Sequence, residues 1–328
     1  MDIQHDSRPI GIFDSGVGGL TVLKELARFF PHEHFIYLGD TARVPYGAKS
    51  ARTIERYTIQ VANFLIKRNV KGLVAACNTA SALGLGALRA HCDTPVLGVI
   101  QPGCQKAVDQ MNLDSAVRST NLAQPIDSPG KTGEDLITNK VTATSPISPD
   151  KSIDYAMHAL PNAESRLNNP LGQIGIIGTR STVASGAYPH TLALLAPQIK
   201  VRSLACPLFV PLVDEGWEDH AATRLIVEDN LAPFIENPVD VLILGCTHYP
   251  VLKSVIAQIL GPQTKLIDSA EAVAESLGKL MGRVLLPASP DSEQKVDFHV
   301  TDVADRFQAV AGRFLDGLAV DVVEMVDL

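Results

Sequence analysis

The stretch Val241-Leu-Ile-Leu-Gly-Cys-Thr-His-Tyr-Pro250 decides the fold class and locates the chemistry. The apolar run 241–244 has the length and composition of a buried strand, and it stops at Gly245. Pro250 suits the first turn of a helix, and residues 251–260 carry apolar side chains at helical spacing. The pattern therefore predicts Cys246 at the C-terminal end of a strand, close to a helix N-terminus. Open α/β sheets bind ligands at that edge, and a helix N-terminus lowers the pKa of a thiol.

A second stretch, Leu73-Val-Ala-Ala-Cys77-Asn-Thr-Ala-Ser81, repeats this pattern. It is again a short apolar run that ends in a cysteine, followed by small polar residues and a helical pattern over 83–90. Two cysteines at strand ends predict two facing thiols. Such a pair is expected of an enzyme that moves a proton from one face of a carbon atom to the other.

The composition of the chain is that of an ordinary globular protein. It has 328 residues, of which 46% are apolar and 20% charged, enough for one large or two medium domains. Five cysteines without a C-x-x-C motif predict a reducing, cytoplasmic location rather than a disulfide framework. No run approaches a membrane span, and the net charge of −8 argues against a nucleic-acid partner.

The glycines of Asp14-Ser-Gly-Val-Gly-Gly19 allow three interpretations. They could hold a dinucleotide phosphate, with Asp40 as the ribose partner, but the spacing is G-x-G-G and Asp14 would repel a phosphate. They could form a tight strand-to-helix turn with Asp14 or Ser15 as the helix cap. In the third interpretation, Asp14 and Ser15 face the same cavity as Cys77.

Strand and helix patterns alternate along the chain, which predicts parallel sheets. Strands are expected at 10–13, 35–38, 73–76 and 94–100, and again at 173–178, 200–205, 239–244 and 265–267. Between the two series, residues about 112–170 are polar and rich in Ser, Thr, Asn and Pro, which predicts a flexible insertion with a short helix over 153–160. A strand at 297–300 and a helix at 302–314 are expected near the end of the chain.

The landmarks of the two series repeat at nearly constant offsets. Ile174 follows Ile10 by 164 residues, and Cys246 follows Cys77 by 169. We therefore expect two similar flavodoxin-like α/β units with mostly parallel sheets, related by pseudo-twofold symmetry, with the active site in the cleft between them. The expected domains are 1–101 with about 270–328, and about 102–269, which carries the insertion.

Rival interpretations of the cysteines are weaker. Cys77, Cys246 and His248 lack the local ligand pair typical of zinc sites, so no metal is expected. A Cys/His hydrolase would leave one thiol unexplained. The other three cysteines fit apolar core positions, and these are Cys92, Cys104 and Cys206.

The motifs FDSGVGGL (13–20), GDTARVPYG (39–47), ACNTAS (76–81), IGTRST (177–182), CPLFVPLV (206–213) and LGCTHYP (244–250) together resemble those of glutamate racemases, in the aspartate/glutamate racemase superfamily. The resemblance implies cofactor-independent racemisation of L-glutamate to D-glutamate by two thiols, supplying peptidoglycan synthesis in a bacterium. It covers nearly the whole chain except the insertion and the first nine residues.

The resemblance also implies roles for individual residues. Cys77 and Cys246 match the proton donors and acceptors, with Cys77 assigned to the D-enantiomer and Cys246 to the L-enantiomer. The substrate-binding pairs are matched by Asp14-Ser15, Tyr46-Gly47, Asn78-Thr79 and Thr247-His248, and a further substrate loop by Thr179 and Thr182.

Assisting groups are expected beside each thiol. Asp14 could hold Cys77 in its reactive protonation state, and His248 could do the same for Cys246. Asp214 stands where the family commonly has Glu, so either Asp214 or its neighbour Glu215 is a candidate carboxylate or a surface charge. Gln101 replaces an acid that is often found in the family.

Two functions from different classes follow from these patterns. The first is a racemase that acts on glutamate and needs no cofactor. The second is a binding or regulatory protein that keeps the fold and uses the insertion as a partner surface. The retained pair of cysteines favours the first, and a homodimer is a further expectation.

Overall fold

All paired strands of the described chain run parallel, and they form two separate sheets. The computed structural model describes residues 4–122, 172–315, 320 and 322–328, with side chains described as far as residue 112 in the first range. The expected insertion beyond residue 122, including the short helix at 153–160, lies outside the described residues.

The first sheet contains six strands. In spatial order they are β10 (Val323–Met325), β9 (Lys295–Val300), β2 (His34–Gly39), β1 (Ile10–Asp14), β3 (Gly72–Ala75) and β4 (Val96–Gly98). β1 is buried at every position, as its apolar run IGIF predicts for a strand covered on both faces. β9 pairs with β2, and β10 pairs with β9, so the C-terminal part of the chain helps to build the first sheet.

The second sheet contains four strands. In spatial order they are β6 (Lys200–Ala205), β5 (Gln173–Gly178), β7 (Val241–Gly245) and β8 (Lys265–Asp268). This arrangement repeats the order β2-β1-β3-β4 of the first sheet. Two similar α/β units with parallel sheets are therefore confirmed, and Cys77 and Cys246 each follow the third strand of a unit in chain order.

Helices connect the strands, as parallel pairing requires. In the first part of the chain they are α1 (Leu20–Phe29), α2 (Ala51–Ile66), α3 (Asn78–Leu83), α4 (Leu85–His91) and α5 (Ile100–Leu122). In the second part they are α6 (Arg180–Ala184), α7 (Ala187–Leu195), α8 (Phe209–Asp214), α9 (Ala221–Glu236), α10 (Lys253–Leu260), α11 (Ser269–Leu280) and α12 (Ala304–Leu315). None of the helices in the part of the chain that the structure describes has the length and apolar character needed to span a membrane.

Side-chain caps mark several helix starts. Ser50 Oγ accepts the Thr53 amide at the start of α2, and Thr179 Oγ1 accepts the Thr182 amide at the start of α6. α1 has no side-chain cap, and Gly19 holds its N-cap position, so Asp14 and Ser15 are not the caps of this helix.

Several element boundaries differ from the sequence expectation. α5 continues to Leu122, past the point where composition places the start of the insertion. The fourth strand is limited to Val96–Gly98, because α5 already begins at Ile100. Helical residues in 83–90 divide into α3 and α4 at Gly84, where a Cβ would collide with Thr58. Residues 209–213 of the CPLFVPLV motif belong to α8, which ends at Asp214.

Candidate active site

A cavity of about 550 Å³ lies where the C-terminal ends of the two sheets meet. Both Cys77 and Cys246 line it, together with residues from the loops that follow β1, β2, β5 and β6. The first unit contributes Ser15, Gly16, Val17, Thr41, Val44, Pro45, Tyr46, Gly47, Ala48, Asn78 and Thr79. The second contributes Thr179, Arg180, Pro207, Val210, Pro211, Asp214, Thr247 and His248, and α12 with the residue before it adds Val303, Arg306, Phe307 and Val310.

Cys77 occupies the N-cap position of α3, directly after β3. Its sulfur accepts the Ala80 amide at 3.5 Å and donates to Ser15 Oγ at 3.7 Å. Burial, followed by the negative charge of Asp14, raises the pKa of the Cys77 thiol to about 12, although the contacts with Ala80 and Ser15 act in the other direction. Cys77 is therefore a protonated thiol at neutral pH.

Cys246 follows β7 and is 6% exposed. The Nδ1 atom of His248 lies 4.0 Å from the Cys246 sulfur, and Nε2 of the same ring lies 3.1 Å from Asp214 Oδ1. Burial lowers the pKa of His248, but the hydrogen bond to Asp214 and the contact with Cys246 outweigh it and raise that pKa to about 10. His248 is therefore an imidazolium at neutral pH and places a positive charge beside the Cys246 sulfur.

Asp214, the last residue of α8, and its neighbour Glu215 have different partners. Asp214 holds His248, as described, whereas Glu215 Oε1 pairs with Arg306 Nη2 at 3.1 Å on the exposed surface. The side chains of Glu215 and Arg306 are 66% and 64% exposed, so solvent screens this pair. Asp214 is thus the carboxylate that reaches the second thiol through the imidazole.

Asp14 lies at the end of β1 and is 1% exposed. Its Oδ2 atom accepts the Gly16 amide at 3.0 Å, while Oδ1 is buried without a hydrogen-bond partner among the described residues. The electrostatic effect of Asp14 on Cys77 favours the protonated thiol. Ser15 and Gly16 line the cavity with Cys77, as the third interpretation of the glycine-rich turn expects for Ser15, whereas Asp14 lies outside the lining.

Asp40, considered as a ribose partner in the dinucleotide interpretation, is fully buried and already engaged. Its Oδ2 atom accepts Tyr46 Oη at 2.5 Å and Arg43 Nε at 2.6 Å, and its Oδ1 accepts Thr301 Oγ1 at 3.0 Å. These bonds fix the loop that carries Tyr46 and Gly47, so Asp40 has a structural role in the loop.

Hydroxyl groups join the two units beside the cavity. Thr79 Oγ1 lies 3.1 Å from Thr179 Oγ1 and 3.2 Å from Thr182 Oγ1. Ser181 Oγ donates to the Gly47 carbonyl at 2.8 Å. Thr79 and Gly47 of the first unit, predicted from the sequence, thus lie beside the loop of the second unit that carries Thr179 and Thr182.

Close packing also holds the Cys246 loop against the first unit. A Cβ atom on Gly18 would collide with Thr247 Oγ1 and with the His248 ring, so only glycine allows this approach. Thr21 Oγ1, one turn further along, lies 3.3 Å from the Thr247 carbonyl oxygen.

The remaining cysteines lie outside the cavity lining. Cys104 and Cys206 are fully buried, whereas Cys92 is only half-buried and departs from the expected core position. In the described ranges, no group of three or more His, Cys, Asp and Glu side chains has the arrangement of a metal site.

One wall of the cavity, formed by α12, was not predicted from the sequence. Val303, Phe307 and Val310 line this wall, and Arg306 and Arg180 are the arginines of the lining. Arg180 lies inside the IGTRST motif, which could have identified it. The residues at the start of α12 form an ordinary amphipathic pattern and carry no comparable signal.

Comparisons with known proteins agree with this geometry. A family model described as Asp/Glu/Hydantoin racemase matches residues 154–277. The chain is 39% identical over 320 residues to a glutamate racemase from Geobacter metallireducens, covering 97% of this chain and 96% of the relative. It is 38% identical over 312 residues to a glutamate racemase from Streptococcus equi subsp. equi, covering 95% and 96%.

Solved structures show the same likeness. The crystal structure of a glutamate racemase isoform from Bacillus anthracis matches with a TM-score of 0.76 and 32% identity over 99% of both chains. The crystal structure of glutamate racemase from Francisella tularensis in complex with D-glutamate matches with a TM-score of 0.73 and 31% identity over 98% of both chains.

Two parallel-sheet units with their strand ends at one shared cavity, together with the family match, define the class of the Asp/Glu/hydantoin racemases. Within that class the relatives that span nearly the whole chain are glutamate racemases. The chain belongs to the glutamate racemase family, and it is an amino-acid racemase, an isomerase.

Proposed function

We propose that the chain interconverts L- and D-glutamate by proton transfer between Cys77 and Cys246, without a cofactor. One observation carries the proposal: each cysteine follows the equivalent strand of one unit, and both line the same cavity. Glutamate as the substrate is supported by the relatives' activity and by the D-glutamate bound in the related Francisella tularensis structure.

Inversion at the α-carbon needs two proton-transfer groups. A base on one face removes the α-proton, and an acid on the opposite face returns a proton. A single side chain would have to act on both faces of a bound substrate. Thiols from two different sheets meet this requirement without movement of the substrate.

The neighbours of the two thiols suit one direction of the reaction. Cys77 is a protonated thiol, since burial and Asp14 raise its pKa to about 12. His248, whose pKa its contacts with Asp214 and Cys246 raise to about 10, places a positive charge beside the sulfur of Cys246. In this state Cys246 takes the α-proton of L-glutamate and Cys77 protonates the opposite face to give D-glutamate. The reverse reaction needs the opposite protonation states.

Acid–base groups supply only part of the rate acceleration. A positioned acid or base typically contributes about 10²–10⁴-fold. Stabilisation of charge on the carbanion intermediate must come from preorganised hydrogen-bond donors. In the proposed site the substrate is held by the four pairs Asp14-Ser15, Tyr46-Gly47, Asn78-Thr79 and Thr247-His248, with Thr179 and Thr182 adjacent. All members of the four pairs except Asp14 line the cavity.

The hydroxyl of Tyr46 is not available to a substrate in the cavity. The phenol donates to Asp40 inside the protein, and Tyr46 is 2% exposed. Burial and the adjacent Asp40 raise the pKa of Tyr46, so the phenol keeps its proton. We therefore propose that Gly47 and the main chain of this loop contact the substrate.

The biological role that fits the activity is supply of D-glutamate for peptidoglycan synthesis. This role is carried over from the resemblance to the family. A strain in which this chain is the sole source of D-glutamate should depend on added D-glutamate when the gene is silenced.

The decisive experiment is polarimetry on purified protein with L-glutamate as the sole addition. The protein is first dialysed against a chelator and treated with hydroxylamine, which removes pyridoxal phosphate. We expect the rotation to decay to zero at an unchanged rate after both treatments. Activity that disappears on either treatment and returns with metal or pyridoxal phosphate contradicts the proposal.

A further inference from the structure

The phenol of Tyr37 contacts the backbone of the glycine-rich turn, residues 14–19. Tyr37 lies on β2 and is fully buried. Its hydroxyl donates a hydrogen bond to the Gly16 carbonyl oxygen at 2.8 Å. Ser15, Gly16 and Cys77 line the cavity, whereas Tyr37 lies outside the lining. A side chain of the neighbouring strand therefore holds the backbone of a turn that forms part of the site.

Two glycines give the phenol and the carbonyl the space that they need. A Cβ atom on Gly39, two residues after Tyr37 on the same strand, would lie 2.6 Å from the Gly16 carbonyl oxygen. A Cβ atom on Gly19 would lie 3.0 Å from Tyr37 Oη and 2.5 Å from Asp14 Cβ. Glycine is the residue that permits such close approach. The turn thus packs around a phenol of the protein itself, where the dinucleotide interpretation placed a phosphate.

Both backbone polar groups of Gly16 are held by side chains. Its N–H group donates to Asp14 Oδ2 at 3.0 Å, and its carbonyl accepts from Tyr37. Glycine has a wide choice of backbone conformations, so a turn through Gly16 needs such contacts to keep one path. Asp14 and Tyr37 therefore determine together how the chain passes through the turn.

The path of the turn places Ser15 against the first thiol. Ser15 lies between Asp14 and Gly16, and the distance from its Oγ atom to the Cys77 sulfur is 3.7 Å. A hydroxyl can accept from a thiol and donate to a thiolate. Burial and the charge of Asp14 raise the pKa of Cys77 to about 12, and the hydrogen bond to Ser15 acts against them. The contact with Ser15 therefore favours the thiolate form of Cys77.

We propose that Tyr37 is a positioning residue, which holds Ser15 against the sulfur of Cys77 through its hydrogen bond to the Gly16 carbonyl. The proposal rests on the proposed function for its consequence in catalysis, and it adds a residue that acts on one thiol only. Removal of the phenol hydroxyl frees the turn, and Ser15 then no longer stabilises the thiolate of Cys77.

The other titratable groups near Cys77 do not obscure this effect. Asp14 and Cys246 are the groups whose charges raise the pKa of Cys77. The phenols of Tyr37 and Tyr46 are affected by Cys77 in turn, and burial is the largest cause that raises the pKa of each above the ordinary value of 10.0. Both phenols keep their protons below that pH, so Tyr37→Phe removes a hydrogen-bond donor and no charge.

The first test measures the alkylation of each cysteine by iodoacetamide, a small neutral reagent, in the absence of substrate. Phenylalanine at position 37 keeps the ring, whose centroid lies 6.4 Å from that of Phe298 and 5.9 Å from that of Phe307. At pH 8 the rate at Cys77 follows its thiolate fraction. In Tyr37→Phe we expect this rate to fall about tenfold, the size of one lost hydrogen bond to a charged group. The rate at Cys246, resolved by mass spectrometry of peptides, should stay within about twofold.

The matched control is Tyr249→Phe. It removes a buried phenol bond of 2.7 Å to the Cys206 carbonyl oxygen in the second unit. This variant should leave the alkylation rate of Cys77 within about twofold of the wild type. The proposal is overturned by a Tyr37→Phe variant that unfolds cooperatively and alkylates Cys77 as fast as the wild type or faster. An equal decrease at Cys77 in Tyr249→Phe overturns it as well.

A double-mutant cycle asks whether Tyr37 acts through Ser15. Ser15→Ala alone should slow the alkylation of Cys77 to a similar extent, because the hydroxyl is absent, and an unchanged rate in this variant overturns the proposal without any change at Tyr37. In the Ser15→Ala background, Tyr37→Phe should change the rate by less than about twofold. Decreases that multiply in the double variant also overturn the proposal, since Tyr37 would then act on Cys77 by another route.

Alkylation does not depend on racemase activity, so the two proposals fail separately. In Tyr37→Phe, kcat/KM for both enantiomers should fall by up to about tenfold, because Cys77 must alternate between thiol and thiolate in the proposed reaction. Slower alkylation of Cys77 with an unchanged kcat/KM overturns the role of Tyr37 in catalysis. A wild type whose Cys77 responds as expected, but which does not racemise glutamate, contradicts the proposed function alone.

Discussion

Asp214 Oδ1 and His248 Nε2 lie 3.1 Å apart, and the other nitrogen of the same ring lies 4.0 Å from the sulfur of Cys246. The carboxylate thus acts on the thiol through the imidazole and not by direct contact. Asp is one methylene shorter than the Glu that is common at this position in the family, and here it reaches the imidazole from the C-terminal residue of α8. The effect of Asp214 on Cys246 is tested by removing the charge of the carboxylate.

We expect Asp214→Asn to move the alkaline limit of activity to lower pH. The pKa of His248 is raised to about 10, with the hydrogen bond to Asp214 as the largest contribution that raises it. Without the carboxylate the imidazole loses its proton at a lower pH, and the sulfur of Cys246 then loses its positive neighbour. The measurement is kcat/KM for L-glutamate against pH. Glu215→Gln is the control, because Glu215 pairs with Arg306 on the surface, and an equal shift in that variant argues against a specific role of Asp214.

The same pair affects stability in a pH-dependent way. The folded pKa of His248 lies above the ordinary value of 6.5, so its contribution is fully present below about pH 6.5 and is lost as the pH rises through about 10. We expect the difference in free energy of unfolding between wild type and Asp214→Asn to shrink over that interval. Urea denaturation at pH 6.5 and pH 10 measures it, and a difference that grows with pH would show the sign to be wrong.

Each thiol is expected to act on its own enantiomer. Cys77→Ala and Cys246→Ala should both lose racemisation by at least about 100-fold, because one face of the α-carbon then has no acid or base. The remaining thiol can still remove and return a proton on its own side. In heavy water, NMR should show α-hydrogen exchange of D-glutamate by Cys246→Ala and of L-glutamate by Cys77→Ala. Exchange of the same enantiomer by both variants, or substantial inversion by either, excludes two facing thiols.

Gly18→Ala should reduce activity more than stability. A Cβ at this position collides with Thr247 Oγ1 and the His248 ring, so the Cys246 loop must move. A displacement of this size near reacting groups typically costs about 10–100-fold in kcat/KM. Gly86→Ala in α4 is the control, since a Cβ there meets nothing within 4 Å and alanine favours the helix. Equal kcat/KM in the two variants would show that the Gly18 contact has no role in positioning the loop.

A buried ion pair far from the cavity should affect stability alone. Lys71 Nζ lies 2.7 Å from Glu33 Oε2, and both side chains are at most 4% exposed. Lys71 also donates to the carbonyls of Asp6 and Leu286. Replacing it by methionine leaves a buried carboxylate without its cation, at a cost of about 3–5 kcal/mol.

The measurement is the thermal midpoint together with kcat/KM at 25 °C. Lys71→Met should unfold at a lower temperature with kcat/KM per folded molecule unchanged. The double variant Lys71→Met with Glu33→Gln should recover part of the loss, because the uncompensated charge is gone. A double variant that is less stable than Lys71→Met would contradict the electrostatic explanation.

The sequence predicted the features that depend on short stretches of chain. Cys77 and Cys246 stand where an apolar strand stops and a helix begins, and this local pattern is sufficient to place both at the C-terminal edge of a sheet. The repetition of these landmarks also predicted the two units, whose equivalent strand orders confirm it.

Features that need distant parts of the chain were not predicted. Tyr188 reads as an ordinary core residue on a helix, and its hydrogen bond to Asn78 spans 110 positions in sequence. Phe307 on α12 reaches the cavity only because β9 pairs with β2 and brings the end of the chain back to the first sheet. The sequence predicted that the end of the chain joins the first unit, but a local pattern does not say which strands pair there or which side chains of α12 reach the cavity.

The neighbours of the two thiols are unlike, although the strands that carry them are equivalent: Asp14 and Ser15 stand beside Cys77, and His248 with Asp214 beside Cys246. Glutamate enantiomers have equal free energies in water, so a racemase must have the same kcat/KM in both directions. The unlike neighbours therefore cannot make the enzyme favour one product at equilibrium. The unlike neighbours can make kcat and KM individually different for the two enantiomers. They can also determine which of the two thiols holds the proton between turnovers. A half-and-half mixture is the end point, and only consumption of D-glutamate by a later reaction gives the flux a direction.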